Sequence, residues 1–525
     1  MELYKKIFNI TMAAAVCLSI LVGTVACASS NQSSNPESNP VEASINDERG
    51  GDLEADAEPI EELNVVPDED SNTGTNVEPE EAFMQQISAE ELAELFATLT
   101  ELGQPQLIVQ FENADEIQST LNSLMGTNLQ SIAEMFDIAP IDDSLIEAGT
   151  QLVFSAVSTI TELGISAIKV ENVDLIHTVM SLLEEHSNVM IVEPNYIMST
   201  MLPVSDVSTF CLAPEDRDTL QIPDNEFFYH QWSLLNTGQE IVTSEGSFVG
   251  VSGTDINVIP VWEAEHNLQE VIVAVIDSGI DTTHPNLAGR FLPGYDLIRN
   301  TSDMIECGGH GTAVASVIAA NWGSTGMAGV APNSTIIPLR FIDEFTGGGS
   351  TFDAIEAIYL AVEGGAQIIN NSWGGHFPSL ILWGVIELHP EVLFVNAAGN
   401  FGLPWASFPA GYPAENIISV AAIDKSGMLT SWTNHSLHVC IAAPGAMILT
   451  AAHGDHIFLD GTSFAAPIVA GAAALYLGMF PDASPSEIRR ALMESATKTD
   501  ELASGVIAGG YLNVAGAIEY GKSLR

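Results

Sequence analysis

Apolar and polar positions alternate with different rhythms along this chain, and each change of rhythm marks a new part. Lys5 and Lys6 precede an apolar run from about Ile7 to Val25, the layout of an export signal over residues 1–27. Residues 28–82 are rich in Ser, Asn, Pro, Glu and Asp, with few apolar groups to bury, and read as a disordered acidic linker. Within 83–104, Ser88 is placed to cap a short amphipathic helix with Leu92, Leu95, Phe96 and Leu99 on one face. Residues 105–199 mix both periods and predict a small α+β unit. Its strands fall at Pro105–Phe111, Gly164–Val170 and Val189–Tyr196, and its helices at Ala114–Met125 and Val173–His186. A second linker covers 200–222.

From 223 to 525 the pattern becomes one of apolar strands alternating with helices. The strands are Val271–Ile276, Ile336–Phe341, Gln367–Asn370, Val392–Asn396 and Ile417–Ile423; the helices are Gly311–Asn321, Thr351–Gly364 and Thr462–Phe480. Strands apolar on both faces predict a doubly wound, mainly parallel α/β sheet covered by helices, with active groups at the carboxyl ends of the strands. The run Phe464–Phe480 also invites reading as a membrane span. It is slightly short for that and carries Pro467 near its start, so a buried central helix is expected.

Composition narrows the function classes. Of 525 residues, 46% are hydrophobic, enough for a sizeable core. The formal net charge is −55, from 14 basic and 69 acidic residues, which excludes electrostatic binding of nucleic acid or of an anionic membrane face. Outside the signal region and Cys27 there are three cysteines, Cys211, Cys307 and Cys440, with no metal-ligand spacing. Cys307, near His310, reads as a bystander thiol, because a serine segment already offers a nucleophile.

Three segments offer an acid, a base and a nucleophile: Asp277-Ser278-Gly279, His310-Gly311-Thr312, and Gly461-Thr462-Ser463-Phe464-Ala465-Ala466-Pro467. A serine hydroxyl becomes nucleophilic when an imidazole takes its proton and a carboxylate holds that imidazole. Asp277 ends a buried strand, and His310 and Ser463 each open a helix. Asn400, in Asn396-Ala397-Ala398-Gly399-Asn400, carries an amide able to donate to an oxyanion, as can the backbone N–H of Ser463.

In this order the four segments resemble the subtilase family over about Pro223 to Ala517, as do Gln231-Trp232-Ser233-Leu234 and Asn236-Thr237-Gly238-Gln239. Ala313 and Ser316 depart from the usual family residues after the histidine. The resemblance implies a serine endopeptidase that hydrolyses peptide bonds through an acyl-enzyme, with Asp277, His310 and Ser463 as triad and Asn400 in the oxyanion site. A catalytically silent, peptide-binding scaffold is the alternative. Ser372, Trp373 and Gly374, with Gly347, Gly348 and Gly349, match glycine-rich stretches whose edges would take polypeptide substrates as an added strand. Residues 105–199 resemble a ferredoxin-like inhibitory prodomain by position, β/α order and the ending Val192-Glu193-Pro194-Asn195-Tyr196, and the maturation site would then lie in 200–222.

No cofactor is required for this chemistry. Many family members hold structural calcium; an Asp ligand of some stands as Asn225 here, with Asp224 beside it. Thr24-Val25-Ala26-Cys27 resembles a bacterial lipobox, with Thr24 where Leu is usual, so lipid attachment at Cys27 is expected. Plain cleavage near Ala26 or Ala28, or an uncleaved anchor helix, are the alternatives. The expected product is an extracytoplasmic monomer, secreted or membrane-anchored.

Overall fold

The computed structural model describes residues 106–124, 154–200 and 223–525, apart from short stretches at 171–174, 185, 244–245, 265–267, 305–308, 324, 344–345 and 453. All of them fall within one compact unit, Ala93–Arg525. The export signal, Cys17, Cys27, the acidic linker, the Ser88–Leu102 helix, Cys211 and Cys307 lie outside the described residues.

The first part is a four-stranded antiparallel sheet. Its elements run β1 (Gln106–Phe111), α1 (Ile117–Leu124), β2 (Phe154–Ile160), β3 (Ile165–Val170), α2 (Ile176–Glu184) and β4 (Val189–Pro194), with spatial order β2-β3-β1-β4. Strand β2 is not among the strands predicted from sequence, because its Ser and Thr residues blur the alternation. Leu107 and Val109 of β1 and Leu182 and Leu183 of α2 are buried, while Ile108, on the opposite face of β1, belongs to an apolar cluster shared with the larger part. Beyond β4 a further short strand, β5 (Ile197–Thr200), leaves this sheet and pairs elsewhere. It crosses the boundary expected at 199.

The larger part is a nine-stranded sheet. It is built from β6 (Val271–Asp277), β7 (Tyr295–Asp296), β8 (Ser334–Arg340), β10 (Ile368–Asn371), β12 (Leu393–Ala397), β13 (Ile417–Ile423), β14 (Ile441–Pro444), β17 (Thr497–Lys498) and β18 (Gly510–Tyr511). The order is β17-β18-β14-β13-β12-β10-β6-β8-β7, parallel except for the β17–β18 pair. Two short strands, β9 (Gly348–Ser350) and β11 (Trp373–Gly374), and a hairpin of β15 (Ile448–Ala452) and β16 (Asp455–Leu459) stand outside it. The part also holds helices α3 (His310–Ala319), α4 (Thr351–Glu363), α5 (Leu380–Leu388), α6 (Thr462–Met479), α7 (Pro485–Glu494) and α8 (Val514–Ser523), with a small hairpin (Glu240–Thr243 and Gly246–Val249) and a short helix (Ile259–Ala264) at its start.

The apolar runs in the sequence thus form the central strands, and the two faces of the sheet give two large apolar clusters. Helix α6 is buried over 94% of its apolar window, so it is a core helix and not a lipid-facing one. Small residues let it pack so closely: a Cβ on Gly471 would stand 2.6 Å from Cβ of Val330. The register between β6 and β10, and between β10 and β12, aligns Ile276 with Asn371 and Asn371 with Asn396. The carboxyl ends of these strands therefore meet along one rim, together with the loops and helix starts attached to them.

Candidate active site and relatives

Asp277 closes β6 at this rim and is fully buried. Its Oδ1 accepts the Ser278 N–H at 2.7 Å and lies 2.7 Å from Nδ1 of His310, the first residue of α3. A carboxylate oxygen has only lone pairs to offer, so Nδ1 carries the proton and Nε2 of a neutral His310 presents a lone pair. Nε2 is buried and has no hydrogen-bond partner among the described residues. Gly311 makes the approach of α3 feasible, since a Cβ there would stand 2.3 Å from the carbonyl oxygen of Gly279. Thr312 Oγ1 accepts the Asp281 N–H at 2.8 Å and pins the turn after β6 to the same helix. The departure at Ser316 has its own partner: Ser316 Oγ accepts the Ala451 N–H of β15 at 2.9 Å.

Ser463 lies fully buried in the first turn of α6, where backbone N–H groups lack helical acceptors. Pro467 occupies the sixth position of this helix, deeper than the first turn suggested by its sequence position. Having no N–H, it leaves the Ser463 carbonyl without its helical donor. Ser372 Oγ fills that vacancy at 2.8 Å, while Ser463 Oγ donates to the Ser372 carbonyl at 3.1 Å. Asn370 Nδ2 in turn donates to Ser372 Oγ at 2.9 Å.

Asn400 is oriented by Thr462. The backbone N–H and Oγ1 of Thr462 both donate to Asn400 Oδ1, at 2.9 and 2.8 Å. Because an N–H must donate, the oxygen of the amide is identified and Nδ2 is its other, donor arm. The loop carrying Asn400 is braced from behind by Asn434, whose Oδ1 accepts the N–H groups of Phe401 and Leu403 at 2.9 and 3.0 Å. Nothing in the sequence around Asn434 signals this role.

Strand β5 fills a gap between β9 and β11, pairing antiparallel with both: Ser199 lies opposite Gly348 and Gly374, and Thr200 opposite Trp373. The glycines are required by proximity. A Cβ on Gly348 would stand 2.8 Å from Cγ2 of Ile197, and one on Gly349 2.3 Å from the Phe341 carbonyl oxygen. Met198 is fully buried and belongs to the same apolar cluster as Phe341, Phe352 and Trp373. Gly347, in the left-handed region at φ +74°, turns the chain into β9.

Residues just before β5 cap two helices of the larger part. Asn195 Oδ1 accepts the Phe352 N–H of α4 at 3.0 Å, and Glu193 Oε2 accepts the Leu380 N–H of α5 at 2.9 Å. Ser379 Oγ also donates to Glu193. Burial pushes the Glu193 carboxyl up to about 7, against the opposing pull of these hydrogen bonds, and also raises neighbouring Tyr196 and Tyr412.

Comparison with known proteins fits this geometry. The model of the subtilase family matches residues 269–509. Thermitase of Thermoactinomyces vulgaris is 34% identical over 252 residues, which cover 47% of this chain and 88% of thermitase. The chain belongs to the subtilase family. Among other relatives of this subtilase, a thermophilic serine proteinase of Bacillus sp. (strain AK1) is 36% identical over 241 residues. Fervidolysin of Fervidobacterium pennivorans is 34% identical over 270. Each match covers 45% of the subtilase described here, but 59% of the first relative and 38% of the second. The crystal structure of fervidolysin, a keratinolytic enzyme related to subtilisin, superposes with a TM-score of 0.59 at 23% identity, over 79% of this chain and 61% of that one, and shows the shared fold.

Proposed function

We propose that this subtilase is a serine endopeptidase made as an inhibited precursor. The observation that carries the proposal is the 2.7 Å contact of Asp277 with His310 Nδ1 on the rim where Ser463 opens α6. Asp277 holds His310 in the tautomer that leaves Nε2 as base. His310 Nε2 takes the Ser463 hydroxyl proton as Oγ attacks the peptide carbonyl carbon. Negative charge develops on the carbonyl oxygen, and Asn400 Nδ2 and the Ser463 N–H donate to it. His310 then gives the proton to the leaving amine, and the acyl-enzyme remains. A water deprotonated by His310 attacks that ester, and Ser463 recovers its proton.

Substrate would lie in the place of β5, between β9 and β11, read through backbone hydrogen bonds at Gly348, Trp373 and Gly374. Residues 105–199 act as the prodomain. Two features support this: the strand order β2-β3-β1-β4, which is that of a ferredoxin-like fold, and the course of β5 through the substrate gap. Maturation then cuts beyond Thr200, within 200–222. The Lys5–Lys6 and apolar run direct export, Cys27 takes the lipid, and the 28–82 linker spaces the enzyme from the membrane surface.

The test compares the full chain with Ser463→Ala. The parent is expected to process itself and to react with a fluorophosphonate, and the variant to do neither. A purified parent that neither matures nor labels would favour the silent scaffold and end the enzyme proposal.

A further inference from the structure

The resemblance places a calcium ligand of some family members at Asn225, and the donors gathered there are of the opposite kind. Asn225 is fully buried, whereas Asp224 beside it is exposed. Asn225 Nδ2 lies 3.0, 2.8 and 2.9 Å from the carbonyl oxygens of Asn321, Thr325 and Met327. Its Oδ1 accepts the Gly323 N–H at 3.2 Å. One side chain thus holds a whole loop from inside.

A second amide serves the same loop. Asn286 Nδ2 donates to the carbonyls of Met327 at 3.0 Å and Asn321 at 3.3 Å, and Oδ1 accepts the Met327 N–H at 2.8 Å. His456 Nε2 lies 2.9 Å from the same Oδ1. Burial and the nearby His284 lower His456 to about 4, so it is neutral at pH 7 and donates from Nε2. Gly326, at φ +68°, closes the loop onto these amides; a Cβ there would stand 2.2 Å from Asn286 Oδ1.

Converging carbonyl oxygens are half of a calcium cage, which takes six to eight oxygens with carboxylates among them. Here their point of convergence holds an NH2 group, the positive end of an amide dipole. The lone pairs that a cation would use are already engaged. Among the described residues no three His, Cys, Asp or Glu side chains are grouped for a metal. The residues at this position do not fit a cation.

We propose that the Asn225 amide, assisted by Asn286, replaces a loop-bound cation in this subtilase, so that the 321–327 loop is held without calcium. This role is independent of peptidase activity. It is tested on the full chain carrying Ser463→Ala, which avoids self-digestion, by hydrogen exchange of peptides spanning the loop. Exchange should agree within about twofold between EDTA and millimolar calcium. Asn225→Asp places a carboxylate against three carbonyl oxygens. Its loop should exchange at least about tenfold faster in EDTA and return to the parent rate in calcium. Faster exchange of the unsubstituted loop in EDTA would overturn the proposal. So would an Asn225→Asp loop that calcium does not repair, because the carbonyls would then not form a cation-shaped cage. If Asn225→Asp does not fold, the chelator comparison on the unsubstituted residue still decides.

Discussion

Ser372 Oγ donates a 2.8 Å hydrogen bond to the carbonyl of Ser463, the acceptor that Pro467 leaves without its helical partner. The proline and the serine are two halves of one device. One empties an acceptor in the helix carrying the proposed nucleophile, and the other uses it to tie that helix to the segment that leads into β11. Pro467→Ala restores a competing N–H and should loosen the tie. We expect kcat to fall about 3- to 30-fold with KM changed less, because the misplacement is of the hydroxyl and not of the bound peptide. Steady-state kinetics on a short peptide substrate check this, and an unchanged kcat would refute it.

Asn400→Ala should lower kcat about 10²–10³-fold with little effect on KM, the usual cost of one oxyanion donor. Asn434→Ala tests the brace behind it. It leaves the half-buried N–H groups of Phe401 and Leu403 without this acceptor, so a stability loss of about 0.5–1.5 kcal/mol by denaturant unfolding is expected, with a partial loss of kcat. Asn434→Asp keeps the accepting oxygen and should recover part of the kcat. Equal kcat for parent and Asn434→Ala would show that the brace does not reach Asn400.

Gly311→Ala should be nearly inactive despite its small size. The added methyl must displace either the Gly279 carbonyl or the start of α3, and both move His310 relative to Asp277. A loss of at least about 10²-fold in kcat/KM is expected. Turnover equal to the parent's would show that the contact yields without disturbing His310.

The Glu193 cap should make docking of the first part pH-dependent. Docked, the carboxyl sits at about 7 against an ordinary 4.5, so the docked state binds its proton more tightly. Docking is therefore strongest below pH 4.5 and weakens as pH rises through 7, by on the order of 10²-fold in all. In the Ser463→Ala chain, exchange at the start of α5, corrected for its intrinsic pH dependence, should accelerate between pH 5 and 8. Glu193→Gln should flatten that profile; a profile that keeps its slope would place the pH dependence elsewhere.

Much of the proposed site is legible in the sequence, because its candidate residues sit where the pattern changes from strand to helix. Asp277, His310, Asn400 and Ser463 all come directly after glycine, an apolar strand or a Gly-Thr pair, and such junctions converge on one rim in a parallel sheet. The hidden part depends on contacts between distant segments. Asn434 is an unremarkable loop asparagine until it meets residues 401 and 403. Glu193 belongs to the motif that closes the first part, but its hydrogen bonds to Ser379 and Leu380 span more than 180 positions. Asn225 looks in sequence like a lost calcium ligand, and only the loop carbonyls around it reveal an amide in a cation's place.

The gap filled by β5 has edges on both sides, Gly348–Ser350 and Trp373–Gly374. An occupant must therefore commit both of its backbone edges at once. A strand inside a folded sheet has already given one or both to its neighbours, and a helix has turned them inward. Only chain ends, long loops and unfolded stretches arrive with both edges free. On the proposed function, such a cleft would discriminate by the folded state of its target more than by its residues, taking unfolded stretches ahead of compact proteins.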